Sequence, residues 1–169
     1  MPDADSNVEF IRDLYERYTM GDGAECVLES LADDVVWRSV GPPDRLPFAR
    51  SRHGRDGVRA YFRALNQDWE MISYKVHELI GQRDRVVTLA DVCFCHRETG
   101  KLVATSKADV FRLRDGRIVD FCEFYDSAAA VEAATDTSES PPSPAMPIFE
   151  DLARRPRLPL VARLGVMAC

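Results

Sequence analysis

Hydrophobic residues follow two different periods along the first 134 residues of the chain. The helical period appears first, with apolar side chains at Val8, Ile11, Leu14, Tyr15 and Tyr18. Ser6 and Glu9 form a Ser-x-x-Glu capping box, so the spacing predicts a first helix that starts at Ser6. The Gly-Asp-Gly sequence at 21–23 is a stop signal, and a second helix is predicted over 24–32.

The next segment alternates between strand and helix patterns. A short strand is predicted over 33–40, centred on Trp37, and the three prolines of 41–54 exclude regular structure there. A third helix is predicted over 55–69, because apolar residues again recur every three or four positions.

Four strands are predicted after the third helix, because apolar and polar residues then alternate with period two. Their bounds are 71–80, 85–96, 101–114 and 117–126, separated by short turns that contain glycine or aspartate. The resulting order is α-α-β-α-β-β-β-β. Long sequential hairpins indicate an α+β fold with a mostly antiparallel sheet and helices gathered on one side.

The composition changes after this region. Residues 1–134 are predicted to form one domain, and 135–147 are rich in Ser, Thr and Pro, which is typical of a flexible linker. The tail 148–169 is apolar and arginine-rich, and its first eight residues allow one short helix.

Net charge and cysteine usage narrow the class of protein. The 169 residues carry a net charge of −6, and the pI is about 5.1, which disfavours nucleic acid or an anionic membrane surface as a partner. No apolar run is long enough to span a bilayer, and the N-terminus lacks a signal-peptide layout. The five cysteines have no metal-ligand spacing, so reduced thiols and a cytoplasmic location are expected.

Charged residues lie on the apolar side of the last predicted hairpin. A three-residue turn at 114–116, with its glycine in a left-handed bulge, pairs Lys107 with Glu123 and Asp109 with Phe121. A two-residue Asp-Gly turn shifts the register by one and separates Asp109 from Glu123.

Three sequence segments, in this order along the chain, resemble segments of proteins in the nuclear transport factor 2-like (NTF2-like) superfamily. They are YERYTMGDGAECVLESLADDVVWRS, HGRDGVRAYF and ADVFRLRDGRIVDFCEFYD. The resemblance covers about residues 8–134 and is closest to SnoaL-like and ketosteroid isomerase-like proteins. It implies a cone-shaped curved sheet wrapped around three helices, with a small-molecule cavity inside. It also favours the three-residue turn, because that register agrees with the cavity face of the superfamily.

The resemblance to ketosteroid isomerase is incomplete at the site. Asp109 matches that enzyme's oxyanion-hole aspartate, which stays protonated to donate a hydrogen bond. The general-base aspartate, however, falls on Ser39, and the oxyanion tyrosine falls on Leu14. Tyr15 is adjacent but about 100° away around the helix, and Tyr18 is one turn further on. Steroid isomerisation by the same mechanism is therefore not expected.

Two other branches of the superfamily suggest different chemistry. Limonene epoxide hydrolases place a catalytic aspartate where this chain has Glu123. The Arg-x-Asp motif of those enzymes falls on Ala90 and Val92 here, so their catalytic triad is incomplete in this chain. SnoaL polyketide cyclases use a cavity carboxylate as acid or base, which Asp109 or Glu123 would supply.

The candidate site residues follow from these considerations. The candidates for catalysis are Asp109, Glu123, Tyr18 and His96. The candidates for substrate binding are Trp37, Tyr61, Lys107, Phe111, Phe121 and Tyr125. Each candidate also has a purely structural interpretation. Asp109 either pairs with Lys107 or meets water at a sheet edge, and Lys107 and Glu123 form an ion pair at a rim. His96 is a solvated residue at the end of a strand, and Trp37 and Tyr61 are residues of the hydrophobic core.

Two functions are compatible with the sequence. The first is a cofactor-free, metal-free enzyme that transfers protons on a small apolar carbonyl compound, as an isomerase, cyclase or dehydratase does. The second is a non-catalytic module that binds a small ligand or dimerises. No phosphate loop, nucleophile elbow or dinucleotide fingerprint is present in the sequence.

A homodimer is expected in either case. The predicted convex face of the sheet carries an apolar row comprising Ala104, Ala108, Val110, Ile118, Cys122 and Phe124. Such a row exposed on a monomer is an unusual apolar patch.

Overall fold

The structure is a computed structural model that describes residues 3–135 of the chain. Most of the predicted linker, and the whole tail 148–169 with its predicted helix, lie outside the described residues. The described part has the predicted α+β architecture, with helices packed on one face of a curved sheet.

The bounds of the elements agree with the sequence prediction to within a few residues, with two exceptions. One is a helix that follows the last strand, and the other is a two-residue strand, Arg52–His53, in the segment 41–54 that was expected to lack regular structure. The prolines do not prevent this strand, because the last of them, Pro47, precedes it by five residues. The helices are α1 Ala4–Arg17, α2 Gly23–Glu29, α3 Gly54–Asp68 and α4 Ser127–Ala134. The strands are β1 Leu31–Ser39, β2 Arg52–His53, β3 Trp69–Gln82, β4 Arg85–His96, β5 Leu102–Arg114 and β6 Arg117–Phe124. Among the described residues, no helix has the length and apolar character that crossing a membrane requires.

Helix α1 begins two residues before the predicted start. The cap is Asp3, whose side chain accepts a hydrogen bond from the backbone N–H of Ser6 at 2.8 Å, so Ser6 lies inside the first turn. The helix buries Ile11 and Leu14 against the sheet. Asn7 is also buried, and its amide donates to the carbonyl of Arg83 in the β3–β4 turn.

The predicted stop after α1 is a five-residue π-helical segment, Tyr18–Asp22. Gly21 within it has φ of 122°, a value that side-chain-bearing residues rarely adopt. The backbone is not helical at Gly21, so the segment is a kink between α1 and α2. Tyr18 at its start lines the interior cavity of the domain.

The six strands form one mixed sheet in the order β2-β1-β6-β5-β4-β3. All neighbouring strands are antiparallel except β1 and β6, which run parallel and place Trp37 beside Phe121. A helix-containing crossover between β1 and β6 is what the parallel pairing requires. After β3 at the far edge of the sheet, the strands β4, β5 and β6 follow one another inward, so the last strand lies next to the first.

The last hairpin corrects the predicted register. Its turn has two residues, Asp115 and Gly116, both with positive φ, as a type I′ turn requires. A bulge at Val119 then adds one residue, so that Asp109 lies opposite Glu123 rather than opposite Phe121. The true pairing differs from the predicted one by two residues, and side chains alternate with period two, so the three charged residues keep their shared face.

Helix α4 was not predicted from the sequence. Asp126 caps it by accepting the N–H of Ala129 at 3.0 Å, and Ala130 and Ala133 are buried. Thr99 in the β4–β5 turn donates to the carbonyl of Ala133, which fixes the helix over one end of the sheet. Five of its eight residues are alanine, so the apolar–polar period that reveals the other helices is weak here.

Candidate active site

A cavity of about 100 Å³ lies between the helices and the concave face of the sheet. By the same measure one water molecule needs roughly 10–15 Å³, so the cavity has room for a molecule of one or two small rings. Most of its wall is aromatic or aliphatic, and its polar groups are concentrated on β5 and β6. A site of this kind is typical of small-molecule binding.

Three charged side chains form a cluster in the wall of this cavity. Strand β5 supplies Lys107 and Asp109, and β6 supplies Glu123. The Lys107 Nζ atom lies 2.5 Å from Glu123 Oε2 and 3.3 Å from Asp109 Oδ1. Asp109 is 1% exposed and Glu123 is 3% exposed. One ammonium group therefore faces two buried carboxyl groups, and full ionisation of all three leaves one negative charge unbalanced.

Three tyrosine hydroxyls bind the carboxyl groups. Tyr15 donates to Asp109 Oδ2, and Tyr74 donates to the same oxygen at 2.6 Å. Tyr61 donates to Glu123 Oε1 at 2.7 Å. Both oxygens of Glu123 are thus engaged, one by Tyr61 and one by Lys107.

The second oxygen of Asp109 is different. Oδ1 accepts no hydrogen bond from any residue of 3–135, although Lys107 Nζ is 3.3 Å away. The ammonium group of Lys107 attracts this oxygen electrostatically at 3.3 Å without the donor–acceptor angle that a hydrogen bond requires. Asp109 Oδ1 is therefore a buried carboxyl oxygen whose hydrogen-bonding capacity is not used by the described residues.

The pKa of Asp109 is raised from its ordinary value of 3.8. Burial is the largest cause, and the charge of Glu123 adds to it. Lys107 and the hydrogen bonds from Tyr15 and Tyr74 act in the opposite direction. Asp109 is consequently the carboxyl group that holds a proton more tightly than an exposed aspartate does.

The basic and phenolic groups of the cluster also bind their protons tightly. Burial lowers the pKa of Lys107, but the charges of Asp109 and Glu123 together raise it well above 10.5. The pKa values of Tyr15, Tyr61 and Tyr74 lie well above 10.0, mainly because burial disfavours the phenolate and then because of the neighbouring carboxylates. The cluster should therefore remain fully protonated at its tyrosines and lysine throughout the neutral range.

These shifts predict a loss of stability in alkali. Above about pH 10 the unfolded chain releases protons from tyrosine and lysine that the folded chain retains, so the free energy of unfolding falls as pH rises. Each retained proton lowers it by about 1.4 kcal/mol per pH unit. Urea unfolding at several pH values between about 9 and 11 measures the slope.

The matched variants for this prediction are Tyr74→Phe and Lys75→Met. Tyr74→Phe removes one buried tyrosine and should make the alkaline slope shallower. Lys75→Met removes an exposed lysine from the neighbouring position and should leave the slope unchanged. An identical slope in wild type and Tyr74→Phe would contradict the assignment of a tightly held proton to Tyr74.

The structure brings almost all the predicted candidates together. The cavity wall contains Tyr18, Trp37, Tyr61, Lys107, Asp109, Phe111, Phe121, Glu123 and Tyr125. Trp37 stacks on Phe121 with ring centroids 3.7 Å apart, and burial raises the pKa of Tyr125 to about 12. The ion pairs named as structural alternatives are present, because Lys107 contacts both Glu123 and Asp109, but they are buried in the cavity wall and do not lie at an exposed rim. Trp37 and Tyr61 belong to the hydrophobic core as well as to the cavity wall.

His96 is the candidate that the structure leaves outside the cavity wall. Its ring is buried and lies edge-on to Trp69, with centroids 4.8 Å apart. Its Nδ1 lies 3.3 Å from the backbone N–H of Thr99 in the β4–β5 turn. These contacts hold His96 within the fold and away from the charged cluster, so its position does not support a catalytic role.

Two residues at the centre of the cluster were missed by the sequence reasoning. Tyr15 lies about 100° from Leu14 around the helix, but the cavity is wide enough that both side chains line it. Tyr74 lies on β3 between two bulges, at 71–73 and 76–78, which break the alternation that reveals inward positions. A chemical argument could have indicated both tyrosines, because a buried carboxylate requires hydrogen-bond donors and a tyrosine hydroxyl is one.

Comparison with known proteins identifies relatives of the domain. A family model for the SnoaL-like domain matches residues 11–121. An NTF2-like protein of unknown function from Burkholderia pseudomallei is 26% identical, with a TM-score of 0.70 over 76% of this chain and 97% of that chain. No curated protein matches the chain significantly.

Two further solved structures share the fold at lower identity. A protein from Rhodopseudomonas palustris provisionally called an isomerase is 18% identical, with a TM-score of 0.64 over 76% of this chain and 95% of that chain. A protein from Jannaschia sp. CCS1 provisionally called a SnoaL-like polyketide cyclase is 17% identical, with a TM-score of 0.66 over 81% of this chain and 96% of that chain. The NTF2-like fold predicted from the sequence is confirmed.

Proposed function

Because the chain belongs to the SnoaL-like domain family, we propose that its cavity catalyses cofactor-free proton transfer on a small, mostly apolar carbonyl compound. The reaction is of the isomerase, cyclase or dehydratase type. The observation that carries the proposal is the unbonded Oδ1 atom of Asp109, on a carboxyl group with a raised pKa, beside a second carboxylate that is paired with lysine. Two carboxyl groups in different environments are what acid–base catalysis requires.

The contacts divide the roles between the two carboxyl groups. Lys107 is closer to Glu123 than to Asp109, and Tyr61 donates to Glu123, so Glu123 is the ionised base. Asp109 then carries the proton on Oδ1, while Oδ2 accepts from Tyr15 and Tyr74. Asp109 is the general acid, and its O–H is directed to the carbonyl oxygen of the substrate.

The proposed step converts the carbonyl compound to its enol. Glu123 removes a proton from the carbon next to the carbonyl, and the electron pair of that C–H bond forms the enol double bond. The carbonyl π electrons accept the proton of Asp109, so the enol forms while Asp109 becomes the carboxylate. Lys107 lies between the two carboxyl groups and can neutralise whichever one is charged.

The remaining cavity residues would bind the substrate. The cavity wall beside the cluster is formed by the aromatic rings of Tyr18, Trp37 and Phe121. Their apolar surface excludes water, which strengthens the electrostatic interactions of the cluster with a bound carbonyl. Tyr18 also brings a hydroxyl to this wall.

A non-catalytic ligand-binding module is the second candidate. It is favoured by the fact that three of the four carboxyl oxygens already bind the protein's own donors, as in a purely structural network. In that case the cavity binds the same class of molecule without exchanging its protons.

Deuterium exchange separates the two candidates. The probe is 4-cyclohexylcyclohexanone in D₂O, and ¹H NMR follows the loss of the protons next to its carbonyl. An acid–base enzyme accelerates this exchange over buffer with saturation in the ketone. Saturable binding without accelerated exchange would establish the binding module and refute catalysis.

The outer face of the sheet supports a homodimer. Phe124 and Leu102 are 48% and 52% exposed on this face. The same face of β5 carries Ala104, Ala108 and Val110, and Ala108 lies directly opposite Phe124. Ile118, predicted on the same face, belongs instead to the core and is fully buried, because the two-residue turn reverses its direction. The rest of the row remains an apolar patch that a second copy would cover.

Light scattering at micromolar concentration tests the dimer. Wild type should have the mass of two chains, and Phe124→Glu should have the mass of one, because it places a charge in the centre of the interface. Met20→Glu is the control for added negative charge, because Met20 is exposed in the segment between α1 and α2, away from the outer face of the sheet. A wild-type protein with the mass of one chain would contradict the dimer.

A further inference from the structure

A threonine hydroxyl is buried beside the charged cluster without a hydrogen-bond partner. Thr88 of β4 is fully buried, and its Oγ1 atom has no partner among residues 3–135. A buried hydroxyl that makes no hydrogen bond destabilises the folded state, and a valine of nearly the same shape would avoid that loss. Packing alone therefore does not explain why this position carries a hydroxyl group.

Thr88 lies directly opposite Asp109 in the sheet. The two residues pair in register across β4 and β5, and both belong to the buried rows of their strands. On the other side, Thr88 pairs with Leu79 of β3, which is apolar. Directly opposite residues of antiparallel strands have Cβ atoms about 4.5–5.5 Å apart. A hydroxyl group and a carboxyl group can close that gap to hydrogen-bond distance.

The unused polar atoms of Thr88 and Asp109 complement each other. Six buried side-chain polar atoms of the described domain have no hydrogen-bond partner. Four of them belong to residues that pair in register, which are Trp37 with Arg52 and Thr88 with Asp109. The unused atoms of Trp37 and Arg52 are both N–H donors and cannot bond each other. The hydroxyl of Thr88 can donate, and Oδ1 of an ionised Asp109 can accept.

The other groups of the cluster leave Oδ1 without a hydrogen bond. Tyr15 and Tyr74 both donate to Oδ2 of Asp109, and Lys107 Nζ lies 3.3 Å from Oδ1 without hydrogen-bond geometry. Thr88 and Asp109 are not hydrogen-bonded in the structure. The hydroxyl and methyl groups of threonine are similar in size, so rotation about the Cα–Cβ bond can turn the hydroxyl toward Oδ1 with little change in packing.

We propose that Thr88 is a positioning residue for the acid of this site, and that its hydroxyl group donates a hydrogen bond to Asp109 Oδ1 when the carboxyl group has given up its proton. Thr88 is not part of the cavity wall of the described domain, so it acts through Asp109 and does not touch the substrate. The inference deepens the proposed function, on which it rests for the role of Asp109 as the acid. The carboxylate formed in the reaction then has three hydroxyl donors, which are Tyr15, Tyr74 and Thr88.

This hydrogen bond makes Asp109 a stronger acid than burial alone would allow. A hydroxyl group bonds a carboxylate about twice as strongly as it bonds a neutral carboxyl group, so it stabilises the state that follows proton transfer. Removing the hydroxyl should raise the pKa of Asp109 by about one further unit, which is a tenfold change in its acid dissociation constant. Ketone exchange should then slow by no more than about tenfold and persist to higher pH.

Two matched pairs of proteins test the hydrogen bond. Thr88→Val keeps the shape of the wild-type side chain but lacks the hydroxyl, and Thr88→Ser differs from Thr88→Ala by one hydroxyl. The measurement is a ¹³C NMR titration of Asp109, whose signal is identified by its loss in Asp109→Asn. Wild type and Thr88→Ser should titrate at similar pH, whereas Thr88→Val and Thr88→Ala should titrate about one unit higher. The signal of Asp120, which pairs with Arg38, should not move in any variant.

Two results would overturn the inference. One is a Thr88→Val protein in which Asp109 titrates as it does in wild type, and the other is a Thr88→Ser protein that titrates like Thr88→Ala, because a role in packing follows size and not the hydroxyl. Failure of the proposed function has a different signature, since the titration needs no substrate. The expected titrations in a protein that does not accelerate exchange would support the hydrogen bond and refute catalysis. Accelerated exchange with an unchanged Asp109 in Thr88→Val would have the reverse meaning.

Discussion

Replacing Asp109 by asparagine is expected to lower the rate of ketone proton exchange by about 10²- to 10⁴-fold, the usual effect of removing a general acid or base. Asparagine keeps the size of the side chain but cannot deliver a proton to the carbonyl oxygen. Glu123→Gln should cause a loss of similar size, because it removes the base. Affinity for the ketone, measured by NMR titration, should change much less than the rate.

Asp120→Asn is the matched control for these variants. Asp120 lies on β6 three residues before Glu123, but it pairs with Arg38 and is partly exposed. Its replacement removes a carboxylate from the same strand without touching the cavity, so exchange should continue at the wild-type rate. Full exchange activity in Asp109→Asn would refute the assignment of the acid.

Replacing Lys107 by methionine should destabilise the domain by about 3–5 kcal/mol near neutral pH, because it leaves two buried carboxyl groups without a counter-charge. Methionine fills a similar volume, so the loss comes from the charge. Without the ammonium group, the folded-state pKa of Asp109 rises further above its unfolded value. Stability from such a group is present at low pH and is lost as pH rises, so the defect should be smaller in acid.

Urea unfolding at about pH 5 and about pH 8 measures this pH dependence. Lys75→Met is the control, since Lys75 is an exposed lysine of β3 and its loss should change stability little at either pH. Lys107→Met should also change the pH optimum of exchange, because the charge that divides the two carboxyl groups is gone. A variant as stable as wild type at the higher pH would show that the cluster needs no cation.

The architecture could be predicted from the sequence because the strong local signals agree with one another. Periodicity located helices α1 and α3 and all the long strands, and turn residues separated them. The predictions were wrong at one backbone irregularity and at one helix whose sequence lacks periodic contrast. The bulge at Val119 changed the register of the last hairpin, and the alanine-rich sequence of α4 offered little periodic contrast. Both features depend on packing that a local pattern does not contain.

The candidate site was predictable only in part. Lys107, Asp109 and Glu123 could be found because charge on the apolar side of a hairpin is costly and therefore informative. The two hydrogen-bond donors of Asp109 could not be predicted, because Tyr15 and Tyr74 come from a helix and a strand that are distant in sequence. The turn of α1 and the two bulges of β3 decide that these hydroxyls meet at Asp109.

The most direct test of the account is a ¹³C NMR titration of the aspartate carboxyl groups in the wild-type protein, with Asp109→Asn identifying the signal of Asp109. The account predicts that Asp109 keeps its proton at pH values where exposed aspartates are already ionised. It also predicts that exchange activity is lost as pH rises through the pKa of Asp109, because the acid is then gone. An Asp109 carboxyl that ionises near its ordinary value of 3.8, in a protein that still exchanges ketone protons at neutral pH, would contradict the proposed mechanism.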